Sequence, residues 1–229
     1  MVLKKEEIKE TFKQIHLTDT NLKHDESIKL IAIILMVISN IGFVFFHEYT
    51  IWSKIAGVVY AILACRIAQG FTQTSNYRKY LFRLWLFAII AQIPYTMLFD
   101  TLQLNGLFSL FISLFLIEKF SKKEYYWVFT IMVIPLFAHM SYPEYGMLIP
   151  GILYMTRNKK WLAFIAVSIL TFLYALFIHS SGMCYSIIGY AIALFLPTNL
   201  FKVRINKSFF YWFYPIHLAI LFIIKQIIQ

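Results

Sequence analysis

The sequence predicts an all-α membrane protein, a polytopic transmembrane helical bundle of about nine spans. Three observations carry this. Of 229 residues, 60% are hydrophobic and only 14% charged, with a mean hydropathy of +0.70. That is more apolar sequence than a soluble domain of this size needs for its core. Several segments approach or exceed the roughly 18–20 apolar residues that cross a bilayer. The lysines and arginines fall in alternate short loops, which is how helices are oriented in a membrane. Alternating segments of about ten residues, the mark of a transmembrane barrel, do not occur. A formal net charge of +10 would point to nucleic acid in a soluble protein. Here the charges act as orientation signals, so the expected partner is the lipid bilayer and no nucleic-acid partner is expected.

Residues 1–26 are polar and mixed in charge, without the apolar core of a cleavable signal peptide. Ile8, Phe12 and Ile15 recur at helical spacing opposite Lys4, Lys5, Glu7 and Lys13. The segment is therefore either an amphipathic helix on the cytoplasmic membrane surface or a solvated tail. Residues 27–229 read as one bundle. Its spans are 27–46, 51–72, 80–99, 102–117, 125–140, 142–155, 161–179, 182–197 and 209–228. The sixth is short and holds Pro143 and Pro150, so a broken or tilted helix is expected there.

Loops two, four, six and eight hold Arg78 and Lys79; Lys119, Lys122 and Lys123; Arg157, Lys159 and Lys160; and Lys202, Arg204 and Lys207. Loops one, three, five and seven hold no lysine or arginine. This alternation places the N-terminus inside and the C-terminus outside. Removing the fifth and sixth spans together preserves it, so seven spans is the alternative. Cys65 and Cys184 lie in apolar segments without CxxC spacing and read as small buried hydrophobes. No metal site is expected. No Walker, GxGxxG or HExxH pattern is present.

The polar groups inside these apolar spans are the functional candidates, because each is costly in lipid. From Phe71 the chain runs through Thr72, Asn76, Arg83, Gln92-Ile93-Pro94-Tyr95 and Leu104-Asn105-Gly106. Elsewhere stand Lys29, Met36-Val37-Ile38-Ser39-Asn40-Ile41-Gly42, Glu144-Tyr145-Gly146 and Tyr214-Pro215-Ile216-His217-Leu218. In order and spacing these segments resemble the TraX family of membrane proteins, within the wider group of transmembrane acyltransferases. The best-known member of that family acetylates the N-terminus of a conjugative pilin subunit.

The resemblance implies a bacterial cytoplasmic-membrane acyltransferase with acetyl-CoA as co-substrate. It implies an acceptor amine on a small membrane peptide or pilin-like protein, or else a hydroxyl. One departure stands out. Where the family pattern has an Asp-His pair, this chain has Ser39-Asn40, and an amide takes no proton near neutral pH. Either the proton-transfer role has moved or the chain is a non-catalytic membrane partner of a small peptide. A transporter or flippase is the third reading, although paired broken helices are not evident.

Acetyl transfer from CoA needs cations for the donor's phosphates, a base titrating near neutrality and a donor for the thioester oxyanion. Lys29, Arg66, Arg78, Lys79 and Arg83 fall in the cytoplasmic third of spans one to three and are the candidate CoA-binding residues; snorkelling side chains are the other explanation. For the base, His47 is the first choice, two helical turns beyond Asn40 in sequence. His217 is the second, with a helix–helix hydrogen bond as its alternative role. Asn40 is expected to orient or hydrogen-bond the acyl group. Gln92 and Asn105 could do the same or join helices.

Overall fold

The computed structural model describes residues 26–46, 49–124, 126–127, 144–177, 181–197 and 207–228. Among them the secondary structure is helical. The elements are α1 (Glu26–Phe45), α2 (Tyr49–Gln73), α3 (Tyr77–Phe99), α4 (Gly106–Ser121), α5 (Glu144–Met155), α6 (Lys160–Phe177), a 3₁₀ turn (Ser181–Tyr185), α7 (Ser186–Phe195) and α8 (Lys207–Ile228). Five helices are long and apolar enough to cross a membrane: α1, α2, α3, α6 and α8. Residues 1–25, most of the fifth expected span (125 and 128–140), His47, His139 and His179 lie outside the described residues.

Each boundary has a local cause. Asn76 caps α3 by accepting from the Lys79 N–H at 3.0 Å, and Asn105 caps α4 by accepting from the Leu107 N–H at 3.0 Å. The fourth span, expected from residue 102, therefore starts at Gly106. For the sixth, expected to be broken or tilted, α5 runs on through Pro150, while Pro143 lies outside the described residues. Within the eighth, expected over 182–197, the chain changes geometry from a 3₁₀ turn to α7.

The central element is α2. It packs on α1, α4, α5 and α7, and half of its most apolar window is buried, against 28% or less for the other four long helices. Small residues permit this. Ala61, Ala64, Cys65 and Ala68 are buried at 5% exposure or below. A side chain at Gly189 of α7 would run into the backbone carbonyl of Val58. On α1, a side chain at Gly42 would run into the indole of Trp52, which gives the glycine of the Ser39-Asn40-Ile41-Gly42 segment a packing reason. The outward faces of α6 and α8, with Ile165, Ile169, Phe172, Ile216 and Ile220 exposed, suit a lipid environment.

One group of polar side chains inside the bundle is paired across three helices. Tyr145 Oη lies 2.5 Å from Thr171 Oγ1 and 2.8 Å from Tyr190 Oη, and Thr171 donates to the Val167 carbonyl. This cluster joins α5, α6 and α7. Tyr145→Phe is expected to lower stability by about 1–3 kcal/mol, because it strips partners from two buried hydroxyls. A thermal melt in detergent measures this, and an unchanged Tm would show that the cluster is dispensable.

The order of helix ends bears on topology. Phe71 of α2 packs edge-on against both Tyr77 of α3 and Tyr154 of α5, with ring centroids 5.7 and 5.1 Å apart. The ends of α2, α3 and α5 that border the basic loops therefore meet. α3 and α8 run parallel: Arg83 lies over the Tyr211 ring near their first turns, and Lys225 Nζ donates to the Leu98 carbonyl, at 3.1 Å, near their last. At the end of α4, buried Glu118 pairs with Lys122 and, at 3.7 Å, with Lys119, which also binds Glu124 at 2.8 Å.

Candidate functional site: a cleft between Arg66 and the α3–α4 turn

A cavity of about 510 Å³ opens among α1, α2, α3, α4 and α8, within the roughly 300–1,000 Å³ range of small-molecule sites. Its walls follow from the helix pattern. Met36, Asn40 and Phe43 line it from α1 at spacings of four and three residues, one helix face. From α2 come Ser53, Ala56, Gly57, Tyr60, Leu63, Arg66 and Ile67, again one face. The stretch from Ser53 to Arg66 covers roughly 20 Å at about 1.5 Å per residue, so the cavity runs much of the length of α2.

The two ends differ. At one, Arg66 shares the wall with Tyr80 and Tyr211, and its Nη1 donates to Gln69 Oε1 at 2.8 Å. At the other, Ser53, Thr101, Gln103 and Met183 supply neutral groups. Between them the walls are aliphatic and aromatic, interrupted by Ser39 and Asn40. Ser39 is buried, with its hydroxyl bonded to the Met36 carbonyl at 3.0 Å.

Asn40 Nδ2 lies 2.8 Å from His217 Nε2, and His217 Nδ1 lies 3.0 Å from the Phe213 carbonyl oxygen. The Phe213 ring stacks on the imidazole, centroids 5.1 Å apart and planes 12° apart. The Tyr214 ring is tilted against the imidazole, with centroids 5.5 Å apart. His217 is 7% exposed and stands behind Asn40, which is on the cavity wall. Sequence spacing gave no sign of this pairing, because 177 positions separate the two residues.

The expected CoA-binding cations divide. Arg66 faces the cavity. Lys79 and exposed Arg83 border a hollow of about 610 Å³ with Gln73, Thr74, Ser75, Asn76 and Phe82. Arg83 approaches the cavity mouth through Tyr211, whose ring centroid is 5.8 Å from its guanidinium. Exposed Arg78 and half-buried Lys29 line neither space. Gln92 and Asn105 also stand apart from the cavity wall. Asn105 Nδ2 donates to the Ala88 carbonyl and to Gln92 Oε1, both at 2.9 Å, while Gln92 Nε2 donates to the Gln103 carbonyl at 2.8 Å. Their role is to fasten the α3–α4 turn that closes the neutral end. Replacing Asn105 with leucine is expected to cost about 2–4 kcal/mol, through the lost cap and the lost side-chain bonds to the Ala88 carbonyl and Gln92 Oε1. A Tm within a degree of the parent would refute that role.

Among the described residues no group of three or more histidine, cysteine, aspartate or glutamate side chains could hold a metal ion. Neither a curated protein nor a solved structure matches the chain. A family model described as "TraX protein" does match, over residues 24–225, a range that takes in every helix lining the cavity. The chain therefore belongs to the TraX family.

Proposed function

We propose that this protein is a membrane-integral acyltransferase that moves an acetyl group from cytosolic acetyl-CoA to an amine or hydroxyl at the membrane. The observation that carries the reading is the single cavity with a guanidinium at one end, neutral polar groups at the other and an amide between them. Arginine suits phosphate because its planar donors meet two oxygens at once. Arg66 would receive the donor within the cavity, with Arg83 and Lys79 on the adjoining surface for the remaining phosphate charge. Arg78 and Lys29 would contribute only to the surrounding positive field.

The chemistry balances without a further reactant. The nucleophile's nitrogen or oxygen bonds to the acetyl carbon and the C–S bond breaks. The nucleophile's proton leaves through a base, and the CoA sulfur departs as thiolate or thiol. His47 is the base in this proposal. Family membership supports, as the acceptor, the N-terminal amine of a small pilin-like membrane peptide, with a hydroxyl as the alternative. In topology we propose nine spans, N-terminus inside and C-terminus outside, so that the Arg66 end faces the cytosol where acetyl-CoA is found. The convergence of basic loop ends and the parallel run of α3 and α8 support that orientation.

Three experiments test the reading. Purified protein in lipid, given carbonyl-labelled acetyl-CoA and candidate peptides, is expected to release CoA and transfer label. Binding without transfer would favour the non-catalytic peptide partner, to which Ser39-Asn40 already points. Reporter fusions after Asn76 and Asn158 are expected to read cytoplasmic, and those after Asp100 and Ser180 external. A cytoplasmic signal at Ser180 would overturn the nine-span order. In the same preparation Arg66→Ala is expected to weaken acetyl-CoA binding tens-fold, from about 1.5–3 kcal/mol per lost charge-assisted bond. Unchanged affinity in a well-folded variant would leave Arg66 a snorkelling side chain.

A further inference from the structure

We propose that Asn40 is the hydrogen-bond donor to the acyl carbonyl in the cavity, and that His217 is a positioning residue that fixes the direction of its amide. The proposal rests on the acyltransferase reading and adds the group that holds the reacting carbonyl. The hydrogen-bond order settles the directions. The Phe213 carbonyl oxygen can only accept, so His217 Nδ1, at 3.0 Å, carries the imidazole proton. A neutral imidazole has one donor and one acceptor, so Nε2 is the acceptor. The group 2.8 Å from it is then the Asn40 NH₂, donating. One amide hydrogen is thereby committed to His217. The second N–H and Oδ1 are left to the cavity side, since Asn40 forms part of the wall.

The same order removes His217 from proton abstraction. Its basic lone pair already receives the Asn40 N–H, and Asn40 stands between it and the cavity. Stacked Phe213 and flanking Tyr214 hold the ring plane. The assembly has the parts of an oxyanion site: a donor whose orientation is fixed before the substrate arrives, in surroundings of low polarity, where such a bond is worth more than in water. As the nucleophile attacks, the carbonyl oxygen gains negative charge and the bond from Asn40 strengthens. The departure at Ser39-Asn40 thus becomes an exchange of roles, with an amide on the cavity wall and an imidazole behind it.

The test uses the full-length protein in detergent with acetyl-CoA labelled with ¹³C at the thioester carbonyl. Isotope-edited infrared spectra read the hydrogen bond at that carbonyl, and turnover is measured in parallel. The labelled band is expected to shift to lower frequency on binding to the parent protein and to lose that shift in Asn40→Ala. The same variant should lose about 10²–10³-fold in kcat with KM little changed. His217→Ala should broaden the band and lower kcat. His217→Gln can still accept from Asn40 through its side-chain carbonyl but cannot act as a base, and it should restore both the band and most of the rate. Melting curves check that each variant is folded.

An identical band in parent and Asn40→Ala overturns the proposal, even if turnover is intact. Loss of turnover in His217→Gln with the band preserved makes His217 the base and overturns its positioning role. A shifted band with no transfer to any acceptor removes the acyltransferase reading and leaves the carbonyl site standing. No binding of acetyl-CoA to the parent protein removes both.

Discussion

Replacing His47 with alanine is expected to lower turnover by about 10²–10⁴-fold, the usual contribution of a positioned proton acceptor, while acetyl-CoA affinity stays unchanged. Asn40 takes the family's histidine position and its amide accepts no proton near neutral pH. His217 has its basic nitrogen occupied by Asn40 at 2.8 Å. His47 follows the last residue of α1, Phe45, by two positions, beyond the end of the helix that carries Asn40. An imidazole titrating near neutrality can take a proton from an incoming amine and release it again. Steady-state turnover with carbonyl-labelled acetyl-CoA, beside direct titration of acetyl-CoA binding, separates the chemical step from donor capture. Full turnover in His47→Ala would remove the histidine-base mechanism. A parallel loss of affinity would place His47 in donor binding instead.

The second large effect is expected in the scaffold. Gly189→Val should destabilise the bundle by about 3 kcal/mol, the upper end of overpacking costs, and lower the yield of folded protein. The first side-chain carbon at this position would overlap the Val58 carbonyl and lie 2.7 Å from Ala61 Cβ. A backbone carbonyl in a helix cannot swing aside as a side-chain tip can, so α7 must move away from α2. Since α2 forms much of the cavity wall, donor binding should fall as well. Gly151→Ala is the control: no atom lies within 4 Å of the added carbon, and helix propensity favours alanine by up to about 1 kcal/mol. Thermal melts of the two variants should move in opposite directions. Equal Tm values for Gly189→Val and the parent would contradict the close α2–α7 crossing.

The α1 glycine gives a milder contrast. A side-chain carbon at Gly42 also overlaps a neighbour, but the neighbour is the Trp52 ring, which has rotamers to change. Overlap with a side chain is relieved locally, whereas overlap with backbone propagates through the helix pair.

Local chemistry made part of this protein legible from the chain alone. Apolar run length and the absence of charge specified helices, since a continuous apolar segment in lipid can satisfy its own backbone only as a helix, and the alternating pattern of a barrel is absent; eight of the expected spans coincide with helices to within a few residues. The motifs around Asn40, Tyr145 and His217 placed the chain in its family. The sequence also marked which polar residues would be costly in lipid, and Arg66, Asn40 and His217 were among them. It could not say which of these meet. Arg66 and Arg83 looked alike as cations inside apolar helices, yet one faces the cavity and the other an exposed hollow, because that depends on helix rotation against neighbours. Gln92 and Asn105 could be read either as contacts to the acyl group or as bonds between helices, and their hydrogen bonds fasten the α3–α4 turn. Proline content led to a broken or tilted reading of the sixth span; α5 is continuous through Pro150, and Pro143 lies outside the described residues. Above all, the pairing of Asn40 with His217 was decided by tertiary structure. A hydrogen bond between helices at the two ends of the chain depends on the packing of α1 and α8 about a common cavity, and no periodicity within either helix encodes that contact.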